Sequence, residues 1–341
     1  IIFISQMVNA LTSGAMLFMV AFHMESLSEW MVFAAIFMQG ATKAIEDPSR
    51  RTAILDIVGE GRLVPALSLD TISNTTGKMV GPIFGGWLLA NVGISGEFTG
   101  AYIFVVALHV INLGVVTRLR IPRSLSEESS ESVLRGLWTA IGFALHSRTL
   151  LGLLYITIVM NTLAFPVQQF IPAIGRDHLD VGVALVGLLV AAEGIGQLSG
   201  AGLIALKRNV RYHGRIFALG SVSICVITFI WVWSPWYAVT FALLAIGGIG
   251  QSGFGTMQSA VTLLASPPEL RGRMMGLLSF CIGVGTPIGG LEMGAIAAMF
   301  SIQGAISANV AAGLLVMLPA LILTPLLWHP LVQPPRATAE A

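Results

Sequence analysis

Apolar runs of about twenty residues recur along most of this 341-residue chain, and charge is largely confined to the short stretches between them. A run of that length is what an α-helix needs to cross the ~30 Å hydrocarbon core of a bilayer. Lipid offers no partner to backbone N–H and C=O groups, so only helices and closed barrels can cross it. A barrel would show alternating strands of about ten residues, whereas these runs are continuous. Ten spanning helices are expected, at about 1–22, 28–48, 64–92, 99–118, 150–174, 181–206, 214–233, 236–264, 272–300 and 303–328. Only 10% of residues are charged, against about 25% in soluble domains, which excludes an ordinary soluble enzyme or nucleic-acid-binding domain. The class is all-α integral membrane.

The basic residues set an orientation, because Lys and Arg accumulate in cytoplasmic loops. Arg50, Arg51 and Arg62 follow the second run. Arg118, Arg120, Arg123, Arg135 and Arg148 flank the long central loop. Lys207, Arg208, Arg211 and Arg215 follow the sixth run, Arg271 and Arg273 the eighth, and Arg336 lies in the tail. All of these fall in alternate loops, so both visible ends are expected in the cytoplasm. Arg176 alone occupies a loop of the opposite side, while Lys43 and Lys78 lie within runs.

The central loop has two parts. Residues 122–132 are rich in Ser and Glu and read as a solvated linker. Val133, Leu134, Leu137, Trp138, Ile141 and Leu145 then recur at helical spacing. That pattern fits either a helix lying on the membrane surface or an early start to the fifth span. Cys225 and Cys281 both lie in apolar runs and read as small hydrophobes rather than a disulfide or metal pair.

Within the third run stands Gly77-Lys-Met-Val-Gly81-Pro82-Ile-Phe-Gly85-Gly86. Glycines four apart line one helix face and allow a neighbouring helix close approach. Pro82 lacks an N–H and its ring clashes with the carbonyl of Lys78, so a bend is expected there. The adjacent face carries Asp70, Asn74 and Lys78. A similar pattern returns 205 to 207 residues later, where Leu270 leads into Thr286-Pro287-Ile-Gly-Gly290. This maps the third run onto the ninth. A six-span unit repeated once predicts twelve spans, so two more are expected upstream of Ile1. The chain has no basic n-region or cleavage signal at its start, so 1–22 reads as a span and not a signal peptide.

Parallel six-span halves joined by a long cytoplasmic loop are the plan of the major facilitator superfamily, and the motifs carry a resemblance to it. Gly77, Gly81, Pro82, Gly85 and Gly86 match the antiporter motif in the fifth helix of its drug:proton exporters. Pro48-Ser-Arg50-Arg51, with the apolar residues after it, resembles the branch that holds the enterobactin exporter and the macrolide efflux proteins. Gln39-Gly40 matches a pair in the family's fourth helix, but Ile36 stands where many proton-coupled exporters carry arginine. Leu206 likewise replaces the acid usual in the second-half echo of the superfamily's loop signature.

The resemblance implies helices 3–6 of the family fold over residues 1–120, a linker and amphipathic helix over 121–149, helices 7–12 over 150–330 and a cytoplasmic tail over 331–341. It implies a monomeric secondary transporter of the bacterial inner membrane. Such a protein would move drugs or siderophores outward by alternating access, with protons and a small-molecule substrate as partners. A uniporter or importer of another solute is the alternative, and a non-transporting membrane receptor or assembly protein a further one. No phosphate-binding loop, metal-ligand spacing or Ser/His/Asp set is legible, so neither an enzyme nor an ATP-driven pump is expected, and no cofactor.

Charges inside a membrane cost roughly 2.5–3.5 kcal/mol each on insertion scales, so each invites a functional reading. Lys78 and Glu193 sit at the middles of their runs and are expected to meet across the halves, either in proton coupling or as a structural ion pair. Glu292 and Asp70 are weaker coupling candidates. Asn74, Asn161, Gln168, Gln251 and Gln258 are candidate cavity-lining residues, although bonds between helices are the commoner use of such side chains. Glu46, Asp47, Arg50 and Arg51, with Lys43 beside them, form a candidate cytoplasmic gate or interfacial charge cluster.

Overall fold

Helices that satisfy their own backbone dominate the computed structural model, which describes residues 2–21, 29–91, 99–118, 133–207 and 210–328; for 29–30, 82–91, 133–134 and 183–184 only the backbone is described. The described secondary structure is entirely helical. In order come α1 (Ile2–Ala21), α2 (Glu29–Val58), α3 (Leu63–Asn91), α4 (Thr99–Arg118), α5 (Val133–His146) and α6 (Arg148–Val159). The single turn α7 (Ile171–Ala173) precedes α8 (Val183–Leu206), α9 (His213–Trp231), α10 (Tyr237–Leu264), α11 (Arg271–Met299) and α12 (Ile302–Leu323).

Eight helices of the described residues are both long and apolar enough to cross a membrane: α1, α4, the composite Arg148–His178, α8, α9, α10, α11 with its lead-in, and α12. The other two expected spans fall on α2 and α3, of 30 and 29 residues. These have the length, but α2 carries Lys43, Glu46, Asp47, Arg50 and Arg51, and the apolar end of α3 lies where only backbone is described.

The expected second span runs to Pro48, and the helix α2 continues beyond it to Val58. Hydroxyls bond the backbone around the proline: Ser49 Oγ donates to the Ile45 carbonyl (2.8 Å) and Thr52 Oγ1 to that of Pro48 (3.0 Å). The fifth span is no simple helix. After α6 it passes through a π turn (Met160–Ala164), a 3₁₀ stretch (Phe165–Phe170), α7 and a second π turn (Ile174–His178). Pro166 and Pro172 explain the irregularity, since each withholds an N–H from the carbonyl four residues earlier.

Of the two readings for residues 133–146, the structure has a separate helix. Ser147 is extended (φ −105°, ψ 106°) and its hydroxyl caps α6 by accepting from the Leu150 N–H. The linker at 122–132, Arg120, Arg123, Arg208, Arg336 and the tail lie outside the described residues.

The chain divides into two compact units: Ile1–Ile57 with Gly77–Ser124, and Val58–Thr76 with Leu125–Ala341. In the first, α1 packs on α4 and bonds α2, with Gln6 Nε2 donating to Glu46 Oε1 (2.7 Å) and Thr42 Oγ1 to Asn9 Oδ1 (2.6 Å). The second unit departs from the expected halves in taking in residues 58–76, and specific bonds tie that stretch down. Gly59 turns the chain in the left-handed region (φ 72°). Glu60 then meets Arg271 at 2.6 Å, joining the 3₁₀ lead-in of α3 to the first residue of α11.

Glycine sets the packing of the second unit. A Cβ on Gly196 of α8 would overlap the Ala245 carbonyl of α10, and one on Gly248 of α10 would overlap that of Glu193. A Cβ on Gly220 of α9 would lie 2.7 Å from the Gly250 carbonyl. Three helices therefore touch backbone to backbone. On α11, a Cβ at Gly289 would overlap the Thr162 carbonyl in the first π turn. That carbonyl is the one to which Pro166 cannot donate. Trp231, Ile171, Ile174, Leu189, Leu244 and Met293 form a buried apolar core beside these contacts. Cys225 and Cys281 are free and buried, and the Cys225 thiol lies 3.8 Å from Met160 Sδ.

Candidate functional site

Glu193 and Gln197 stand four residues apart on α8 and so share a face. The irregular stretch after α6 presents Gln168, whose Nε2 donates to Glu193 Oε1 at 2.6 Å. Gln197 Nε2 donates to Gln251 Oε1 of α10 at 2.9 Å, and lies 3.5 Å from Glu193 Oε1. Thr75 of α3 donates from Oγ1 to Gln197 Oε1 at 3.2 Å. One carboxylate thus heads a chain of carboxamides that crosses four elements of one unit. Beside it lies a cavity of about 30 Å³, bordered by Ala164, Gln168, Glu193, Thr228, Trp231 and Gln251. That is room for one or two waters, far short of the several hundred Å³ that a drug-sized ligand fills. Chemically it is a half-buried acid with donors fixed around it and water beside it. Such an arrangement can take up and release a proton; it does not enclose a large substrate in this conformation.

A second polar layer contains Thr157, whose Oγ1 accepts from Gln258 Nε2 (2.8 Å) and whose carbonyl accepts from Asn161 Nδ2 (2.8 Å). Thr286 Oγ1 of α11 reaches Asn161 Oδ1 at 3.4 Å. Gln168 and Gln251 therefore border the cavity, while Asn161 and Gln258 are buried in bonds between and within helices. The proline-glycine echo on α11 grips the π turn of the neighbouring helix through Gly285, Thr286 and Gly289.

The remaining candidates are spread out. Asn74 Nδ2 donates to the Asp70 carbonyl at 3.2 Å, and both side chains are half-buried. Lys78 is exposed and belongs to the first unit, Glu193 to the second. A Cβ on Gly77 or Gly81 would meet nothing within 4 Å among the described residues. Gly85 and Gly86 have described helical backbone, and the Pro82 side chain lies outside the description. Glu292 keeps Oε2 buried with no hydrogen-bond partner among the described residues. Of the proposed gate, Asp47 and Arg50 pair within α2 at 3.1 Å, Glu46 faces Gln6, and Arg51 is half-buried.

Sequence reasoning missed Gln197, Thr71, Thr75, Thr157 and Thr256. Thr71 and Thr256 hydroxyls lie 3.3 Å apart between α3 and α10. Two signals were present: Gln197 follows Glu193 by one helical turn, and Thr71 and Thr75 are four apart on the face beside Asp70 and Asn74.

Comparison with known proteins agrees with this architecture. The family described as transmembrane secretion effector matches residues 1–329. The enterobactin exporter EntS of Escherichia coli (strain K12) is 24% identical over 286 residues, 83% of this chain and 67% of that protein. Its counterpart in Shigella boydii is 25% identical over 287 residues, with the same coverage. Among solved structures, a variant of the E. coli fucose:proton symporter FucP aligns with TM-score 0.73 at 14% identity, covering 94% of this chain and 82% of that one. The human organic anion transporter MFSD10 aligns with TM-score 0.69 at 14% identity, covering 94% and 76%. The chain belongs to the transmembrane secretion effector family and is a multi-span membrane transporter of the major facilitator superfamily, not an enzyme.

Proposed function

We propose that the protein exports small organic molecules, of the drug or siderophore class, by proton-coupled alternating access, and that Glu193 is the acid through which protons drive the cycle. The observation that carries the reading is the Glu193 site, where a membrane carboxylate is held by Gln168 and Gln197 beside a water-sized cavity. An acid within a transporter's spans belongs to a proton or ion pathway by default. The name of the enterobactin exporter supports the outward direction and the siderophore class.

The reading includes ten spans with both visible ends cytoplasmic, in a monomer built on two six-helix repeats. Helix bounds support the repeat. Shifted back by 206 residues, α10 falls on 31–58 against the observed Glu29–Val58 of α2, and α12 falls on 96–117 against Thr99–Arg118 of α4. Lys78 is the candidate counter-charge for Glu193, and Glu46, Asp47, Arg50 and Arg51 the candidate gate.

The test is transport into proteoliposomes under an imposed proton gradient, with enterobactin and with ethidium as probes. Glu193→Gln should lose gradient-driven export and keep counterflow exchange. A Glu193→Gln protein that exports at the full rate overturns the assignment. If Lys78 is the counter-charge, Lys78→Ala alone should show less counterflow exchange than Lys78→Ala combined with Glu193→Gln, since the single change strands an acid.

A further inference from the structure

The helix α5 has two different exposed flanks. Its inner face is seated in the second unit by Ala140 and Ala144, 0% and 3% exposed, with Gly136 against the Arg273 side chain. Outward, Trp138 and Leu145 are 70% and 60% exposed. They are seven residues apart and therefore lie on one line along the helix. Beside that line, within about a third of a turn round, come Arg135, Thr139 and His146, all exposed. One turn on, past the Ser147 break, Arg148 is exposed at the start of α6. An apolar line flanked by cationic and polar groups, at the end of a membrane span, matches the layering of a bilayer surface: acyl chains first, charged headgroups beside them. Water alone would favour neither an exposed Trp nor an exposed Leu there.

We infer that α5 is a docking surface for anionic phospholipid headgroups, with Trp138 and Leu145 entering the acyl boundary and Arg135 and Arg148 binding the phosphates. The charge complementarity selects the occupant, since a zwitterionic surface would satisfy the apolar line but leave the arginines without a matching net charge. A lipid headgroup bound here contacts the start of α6, the helix that leads into the irregular stretch holding Gln168.

The experiment uses the full chain in nanodiscs of phosphatidylcholine with or without phosphatidylglycerol, carrying an environment-sensitive fluorophore on Leu145→Cys; Cys225 and Cys281 are buried and remain as the unlabelled background. The expected result is a blue shift of the label that grows with phosphatidylglycerol. Arg135→Gln should weaken that lipid preference about fivefold, and Arg135→Gln with Arg148→Gln should abolish it. Trp138→Ala should reduce the shift in both lipids and keep the preference. Equal shifts in both lipid compositions overturn the inference. So does a label that stays water-exposed in both.

Discussion

Glycines four apart stand on α3 and on α8, and the two copies live differently. On α3, Gly77 and Gly81 face open space, and a methyl on either would touch nothing within 4 Å among the described residues. On α8, Gly196 and Gly200 are consumed by packing. A side chain at the first would overlap the Ala245 carbonyl of α10, and one at the second would strike Ser252 and the Ile249 backbone. α10 reciprocates with Gly248 against Glu193. Small residues four apart permit a close approach; they do not by themselves cause one. What separates the copies is the opposing surface, since α10 offers its own glycine and serine at matching height. The α8 stripe is therefore a structural seam that also fixes the height of Glu193. The α3 pair carries no such contact among the described residues.

Substitutions can break or sharpen that contrast, taken from the largest expected loss of stability to the smallest. Gly248→Leu forces backbone apart and should cost about 3 kcal/mol or more, seen as a large fall in the thermal unfolding midpoint of the detergent-purified protein; an unchanged midpoint would dissolve the distinction. Arg271→Ala strands Glu60 at the lead-in of α3. Because the Glu60 side chain is 34% exposed, the loss should be only about 1 kcal/mol, measurable as a smaller fall in midpoint. Thr75→Val removes one bond to Gln197 and should cost about 0.6 kcal/mol; a loss as large as that of Gly248→Leu would mean that α3 is locked as tightly as α8. Gly81→Leu should leave the midpoint at the wild-type value while export in proteoliposomes falls to background. Normal export by that variant would show that the open stripe is not a moving surface.

α3 itself repeats the contrast within one helix. Its first part is anchored in the second unit through Thr71, Thr75 and Glu60, and the unit boundary falls where the glycines begin, at Gly77. The polar stripe of Asp70, Asn74 and Lys78 drew attention in the sequence because those residues are charged or strongly polar. The hydroxyls on the neighbouring face make the cross-helix bonds. A threonine can equally bond its own helix, and Thr71 also donates to the Leu67 carbonyl, so its type alone does not mark a contact.

Hydrophobic run length and charge placement determined the class of this protein and, to within a residue or two, helices such as Thr99–Arg118, Tyr237–Leu264 and Arg271–Met299. They could do so because a bilayer makes each spanning segment answer to local composition and to its own backbone bonds. Glu193 was legible for the same reason, as a charge where charge is costly. Its neighbours were not. Gln168 reaches it only because two prolines distort the stretch after α6. Gln197 and Gln251 meet because Gly196 and Gly248 bring two backbones together. Run length placed the end of a span at Pro48, while the helix itself continues to Val58. Tertiary structure alone decided which glycines are seams and which stay open, because a missing side chain has meaning only through the surface brought against it.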